Sequence, residues 1–83
     1  MEFEAEILLM EECGELVQAL SKVIRTGARN DTVMNMSQEV ADVQLLIDLV
    51  RDKYGIDAGE VQRRMRDKAH KLQRWSNLYG TQD

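Results

Sequence analysis

The chain has 83 residues, 43% of them apolar, and its 15 acidic and 11 basic side chains leave a net charge of −4. That length allows one small domain, spanning residues 1–83, with a core thin enough that self-association is an early expectation. A single cysteine, Cys13, excludes a disulfide framework and a cysteine-rich zinc site, and the acidic balance disfavours indiscriminate binding to a nucleic-acid polymer or an anionic membrane.

The first predicted element is a helix over about residues 2–26, built of good helix formers and interrupted only by Gly14. Glutamates at its start and Lys22 and Arg25 at its end suit the helix dipole, and Gly27 suits a C-terminal cap. Gly27 to Met34 reads as the clearest loop. A second helix, capped by Asn35 or Ser37, is predicted over about 35–54 and is stopped by Gly55. Asp57 and Glu60 form a D-x-x-E capping pattern that opens a third helix over about 58–76. Strand-like alternation is absent, so the expected fold class is all-α. The expected architecture is three helices with helices 1 and 2 antiparallel. No apolar run approaches the ~20 residues needed to cross a membrane. The acidic start, Met1-Glu2-Phe3-Glu4, is unlike a signal peptide, and a cytoplasmic protein is expected.

Helical geometry puts several carboxylates where apolar residues belong. The apolar face of helix 2 includes Val43, Leu45, Leu46, Leu49 and Val50, and Glu39 and Asp42 fall near its middle. On helix 1, Glu12 shares a line with Leu16, Ala19 and Val23, with Glu15 a turn away. Gly14 thins the helix between them and permits close approach of another helix or a ligand. Antiparallel packing would gather Glu12, Glu15, Glu39 and Asp42 into one partly buried pocket, where their mutual repulsion and desolvation demand compensation. A divalent cation is one compensation. An all-oxygen set favours Mg²⁺, with Mn²⁺ as the second choice, and makes this a candidate phosphoryl site. The other reading is a plain helical bundle with salt bridges to Lys22, Arg25 or helix 3.

On helix 3, Val61, Met65, Leu72 and Trp75 form an apolar stripe that Lys68 interrupts, with Lys71 and Arg74 on the adjoining flank. These three cations can hold a di- or triphosphate, or can form an ordinary solvated flank. Arg63, Arg64 and Arg66 fit the solvated side. Cys13 is expected as a small core residue and His70 as a surface residue. Trp75 is expected as a core anchor, and with Asn77 and Tyr79 it is a weak candidate for a base pocket. The charge is unevenly spread. Residues 1–15 carry six glutamates and no base, whereas residues 60–74 carry six bases and two acids.

Glu11-Glu12-Cys13-Gly14-Glu15-Leu16 followed by Glu39-Val40-Ala41-Asp42 resembles the E-E-x-x-E … E-x-x-D signature of MazG-type nucleotide pyrophosphohydrolases, members of the all-α NTP pyrophosphatase superfamily. The likeness spans about residues 4–75 and includes the Lys71–Trp75 run, KLQRW. It implies Mg²⁺-dependent hydrolysis of a nucleoside triphosphate between the α and β phosphates, giving a nucleoside monophosphate and pyrophosphate. It assigns Glu12, Glu15, Glu39 and Asp42 as metal ligands. Glu11 takes a supporting role, ordering a water or acting as base. Lys22, Arg25, Lys68, Lys71 and Arg74 are the residues facing phosphate. Many members carry further helices before and after the motif. Here the motif starts at residue 11, so a homodimer or dimer of dimers is expected to complete a four-helix-bundle-like core. Ile7, Met10, Val17 and Ile24 are the candidate interface on helix 1. Two alternatives accompany this reading. One is a specialised pyrophosphohydrolase for dUTP, dCTP or a phosphoribosyl nucleotide. The other is a non-catalytic helical assembly or nucleotide-sensing module.

Overall fold

Residues 2–78 are described by a computed structural model. They form three helices, α1 (Glu4–Thr26), α2 (Asn30–Tyr54) and α3 (Ala58–Trp75), with no strand among the described residues. The all-helical expectation holds, as does the pairing of α1 with α2. None of the described helices is long and apolar enough to cross a membrane.

The α1–α2 connection is shorter than the sequence suggests. Only Gly27 to Arg29 lie outside the helices, and Gly27 takes a positive φ of 85°. Helix α2 begins at Asn30, so Asn35 and Ser37 are helical residues rather than caps. Thr32 explains the difference. Its hydroxyl accepts from the Arg29 N–H at 3.1 Å and lies 3.0 Å from the Arg29 carbonyl and 3.2 Å from the Gly27 carbonyl, to either of which it can donate. Helix ends leave backbone groups unsatisfied, and the buried Thr32 hydroxyl in the first turn meets that need, so α2 starts at Asn30, five residues before Asn35.

The other ends follow the sequence closely. Gly55, at φ 64°, closes α2 in the left-handed conformation that glycine adopts most readily. Its N–H reaches Asp52 O, and the Ile56 N–H reaches Arg51 O at 3.0 Å. Asp57 caps α3 by accepting the Glu60 N–H at 2.9 Å. The reciprocal half of the capping box is absent, because the Glu60 carboxylate is held by Arg63 and Arg64.

Helices α1 and α2 pack along two lines with alternating steps of four and three. On α1 the inward line is Ala5, Leu9, Glu12, Leu16, Ala19 and Val23. On α2 it is Thr32, Met36, Glu39, Val43, Leu46 and Val50. Ala19, Val43 and Thr32 are its buried members. Leu45 and Leu49 lie off this line and are exposed, which corrects their assignment to the packed face. At the far end from the loop, Lys53 Nζ donates to Glu2 O and to Glu6 Oε2, both at 2.6 Å, and Tyr54 donates to the same carboxylate oxygen. The Lys53 ammonium also stands 5.0 Å from the centre of the Phe3 ring. This clasp joins the first turn of α1 to the last turn of α2.

Helix α3 does not pack on the hairpin, and none of its residues is buried. Within one chain the stripe of Val61, Met65, Leu72 and Trp75 therefore forms no core, and Trp75 is 77% exposed rather than an anchor. Cys13 is also exposed, because it lies on the side of α1 turned away from α2. A Cβ on Gly14 would meet nothing, so no close approach occurs there within the chain. Ile7, Met10, Val17 and Ile24 are all exposed, leaving the proposed interface of α1 bare.

Candidate functional site

The two inward lines that build the hairpin also bring acids together. Glu12 sits between Leu9 and Leu16 on α1, and Glu39 sits between Met36 and Val43 on α2. Packing the apolar members forces these two half-buried carboxyls to face one another. Asp42, one turn past Glu39, joins them from the exposed edge. Each of Glu12, Glu39 and Asp42 offers a carboxylate oxygen within 4.8 Å of the others.

The electrostatics of this triplet are unfavourable when it stands alone. The Glu12 carboxyl is pushed above its ordinary range, first by the Glu39 carboxyl that faces it, then by burial, then by the charges of Asp42, Glu39 and Glu15. Glu39 Oε1 is buried without a hydrogen-bond partner. A buried carboxylate oxygen with nothing to accept from is costly unless a cation or proton meets it. No basic side chain does so. The ion pairs among the described residues are Arg29–Asp31, Arg51–Asp48, Lys53–Glu6 and a set internal to α3. Interhelical salt bridges to Lys22, Arg25 or helix 3 therefore do not form within the chain. The donor set is three carboxylates with no nitrogen or sulfur, which fits a hard divalent cation.

Beside the triplet lies a groove of about 540 Å³. Its α1 wall carries Glu15, Gln18, Lys22 and Arg25, in steps of three, four and three that keep them on one flank. Its α2 wall carries Asn35 and Glu39. Glu39 belongs to both features and connects the acidic cluster to the basic groove.

The predicted site residues thus divide into groups. Glu12, Glu39 and Asp42 are brought together, and Glu15 stands next to them on the groove wall. Lys22 and Arg25 line the groove. Glu11 is exposed and outside the triplet. Lys68, Lys71 and Arg74 are on α3, away from the groove, with the Arg74 guanidinium 5.9 Å over the Trp75 ring. His70 is exposed. Asn77 is exposed and Tyr79 lies outside the described residues. Gln18 and Asn35 were not singled out as site residues. Their signal was spacing: Gln18 is three residues past Glu15, and Asn35 is four before Glu39.

A model of the MazG nucleotide pyrophosphohydrolase domain matches residues 5–75, nearly the whole chain. Comparison with curated proteins and with solved structures gives no match.

Proposed function

The chain belongs to the MazG nucleotide pyrophosphohydrolase family, and from that membership we propose that it hydrolyses a nucleoside triphosphate between the α and β phosphates in a Mg²⁺-dependent reaction, giving a nucleoside monophosphate and pyrophosphate. The observation that carries this reading is Glu39. Its buried, unpartnered oxygen belongs to the Glu12–Glu39–Asp42 triplet, and the same side chain borders a groove lined by Lys22 and Arg25. A cation-binding feature and a phosphate-binding feature therefore meet at one residue.

In this reading Glu12, Glu39 and Asp42 hold the cation, with Glu15 at the groove edge as a fourth carboxylate. A bound divalent ion supplies charge neutralisation and polarises a phosphoryl oxygen. Lys22 and Arg25 bind the phosphate chain and stabilise negative charge as pyrophosphate departs. Hydrolysis adds water across the anhydride. The water oxygen bonds to phosphorus, the bridging oxygen leaves with pyrophosphate, and a carboxylate takes the water proton. Glu11 is assigned that proton, or the ordering of the water. No serine, cysteine or histidine nucleophile is needed.

The test is pyrophosphate release from a panel of canonical and modified nucleoside triphosphates, with Mg²⁺ and with EDTA, on wild type and Glu39→Gln. Expected are Mg²⁺-dependent release by wild type and loss of release by the variant with its helix content intact. No release from any nucleotide by the folded wild-type chain would refute the enzymatic reading. Activity confined to dUTP, dCTP or a phosphoribosyl nucleotide would assign the specialised branch.

A further inference from the structure

The groove beside the acidic triplet is graded in charge along its length. Glu15 and Glu39 stand at its acidic end, and Lys22 and Arg25 at its basic end. At about 1.5 Å of rise per residue, Lys22 is ~10 Å and Arg25 ~15 Å past Glu15 along α1. Two neutral amides fill the interval. Gln18 lies ~4.5 Å past Glu15 on α1, and Asn35 lies ~6 Å from Glu39 on α2. The chain reverses between α1 and α2 at residues 27–29, so both steps run towards that loop. Gln18 and Asn35 therefore stand on opposite walls of the groove at neighbouring levels.

Their chemistry suits an anion at this level. Each amide carries two N–H donors. Neither makes a side-chain hydrogen bond among the described residues, and both are exposed. The cations beyond them bear on the same place. Side chains on a helix lean towards its N-terminus, which on α1 is the direction of the triplet. Arg25 shows the lean: its Nε donates to the Ser21 hydroxyl, one turn back, at 3.4 Å. Neutrality matters too. Residue 18 is three past Glu15 and residue 35 is four before Glu39, the spacings at which a lysine would pair with those carboxylates. An amide donates to a phosphate oxygen without neutralising the acids that hold a cation.

We propose that Gln18 and Asn35 are substrate contacts: a pair of amide donors, one from each helix, that holds the first phosphate of the leaving pyrophosphate between the acidic triplet and Lys22 and Arg25. The phosphate chain then runs along α1 towards the loop at residues 27–29, and the nucleoside lies at the opposite end, beside Asp42. As the anhydride breaks, the leaving oxygens gain charge, and donors already aimed at them stabilise it without reorganising. The assignment rests on the pyrophosphohydrolase reading above, which names what the groove holds.

The test is direct binding of inorganic pyrophosphate to the full-length chain in Mg²⁺, followed by calorimetry, with nucleotide hydrolysis assayed in parallel. Gln18→Met and Asn35→Leu keep side-chain size, remove the donors and suit a helix at least as well. Each is expected to weaken pyrophosphate binding about tenfold, the level of a hydrogen bond to a charged group, with helix content and Mg²⁺ affinity within about twofold of wild type. Gln18→Glu, which keeps the shape and adds a negative charge, should weaken it further. Pyrophosphate affinity unchanged in both variants, or a wild type that binds none at millimolar concentration, would overturn the contact. So would a parallel loss of Mg²⁺ affinity, which assigns the amides to the triplet. A loss confined to adenosine and uridine monophosphates, which assigns them to the nucleoside, would overturn it as well. Hydrolysis separates the two readings. A wild type that binds pyrophosphate through these amides but hydrolyses no nucleotide would refute the enzymatic reading and leave the phosphate contact standing. Variants that bind pyrophosphate and hydrolyse nucleotide as wild type does would refute the amide contact alone.

Discussion

Thr32→Val isolates the contact that decides where α2 starts. Valine keeps the shape of this residue, which is only 2% exposed, and removes the hydroxyl. Lost are the bond accepted from the Arg29 N–H at 3.1 Å and the one donated to the Arg29 or Gly27 carbonyl. The damage is limited because the backbone groups keep other partners. The Arg29 N–H also reaches Gly27 O at 2.9 Å, and Arg29 O also accepts from the Val33 N–H at 2.9 Å. The cost is therefore about 1–1.5 kcal/mol, the level of a lost helix cap rather than of an orphaned buried group. With a urea dependence of about 1 kcal/mol/M for so small a chain, the unfolding midpoint falls by about 1 M at matched chain concentration. Amide exchange locates the effect: faster exchange at Arg29 and in the first turn of α2, with the middle of the helix unchanged. Thr32→Ser keeps the hydroxyl and should leave that first turn protected. A Thr32→Val chain with wild-type midpoint and wild-type exchange would refute the hydroxyl's role in starting α2, and with it the account of how Asn35 and Glu39 are positioned on the groove.

Acid should loosen the clasp. Lys53 and then Tyr54 hold the Glu6 carboxyl down at about 2 from an ordinary 4.5. A depressed folded value contributes stability above 4.5 that fades as pH falls towards 2, so thermal midpoints decline across that window and Lys53→Met flattens the decline. Glu12 behaves oppositely, since its neighbours push its carboxyl up. Glu39→Gln replaces an acid with an amide donor, and the carbon-13 titration midpoint of the Glu12 carboxyl should drop towards the ordinary range. An unmoved midpoint would contradict the Glu12–Glu39 contact. Lys22→Ala and Arg25→Ala should raise the KM for nucleoside triphosphate about tenfold or more, since a charge-assisted contact contributes about 1.5–3 kcal/mol. Unchanged KM in both would remove phosphate from the groove.

Much of the site was legible because its logic is periodic. Glu12, Glu39 and Asp42 stand where a helix repeat calls for apolar residues, and packing the stripes brings these acids together whatever the details of the crossing. Lys22 and Arg25, which the family resemblance placed toward phosphate, line the groove beside Glu15. Glu11 could not be placed in this way, because a neighbouring residue on a helix points about 100° away, and it is exposed outside the triplet. The early start of α2 was hidden for a different reason. Thr32 is an unremarkable residue within a polar stretch, and its capping role depends on backbone atoms of Gly27 and Arg29 that only a closed turn brings near.

The sequence by itself determined the helical class, the Gly55 and Asp57 boundaries and the acidic pairs on α1 and α2, because each depends on residues within a few turns of one another; the family followed from the order and spacing of the two acidic motifs along the chain. Tertiary structure decided which apolar stripes meet. It paired the Leu9–Leu16 side of α1 with the Met36–Val43 side of α2, left Leu45 and Leu49 outside, and set α3 apart from both. An amphipathic pattern states that a face must be covered but carries no information about which surface covers it. That choice depends on the length and angle of the connections, here three residues between α1 and α2 and three between α2 and α3.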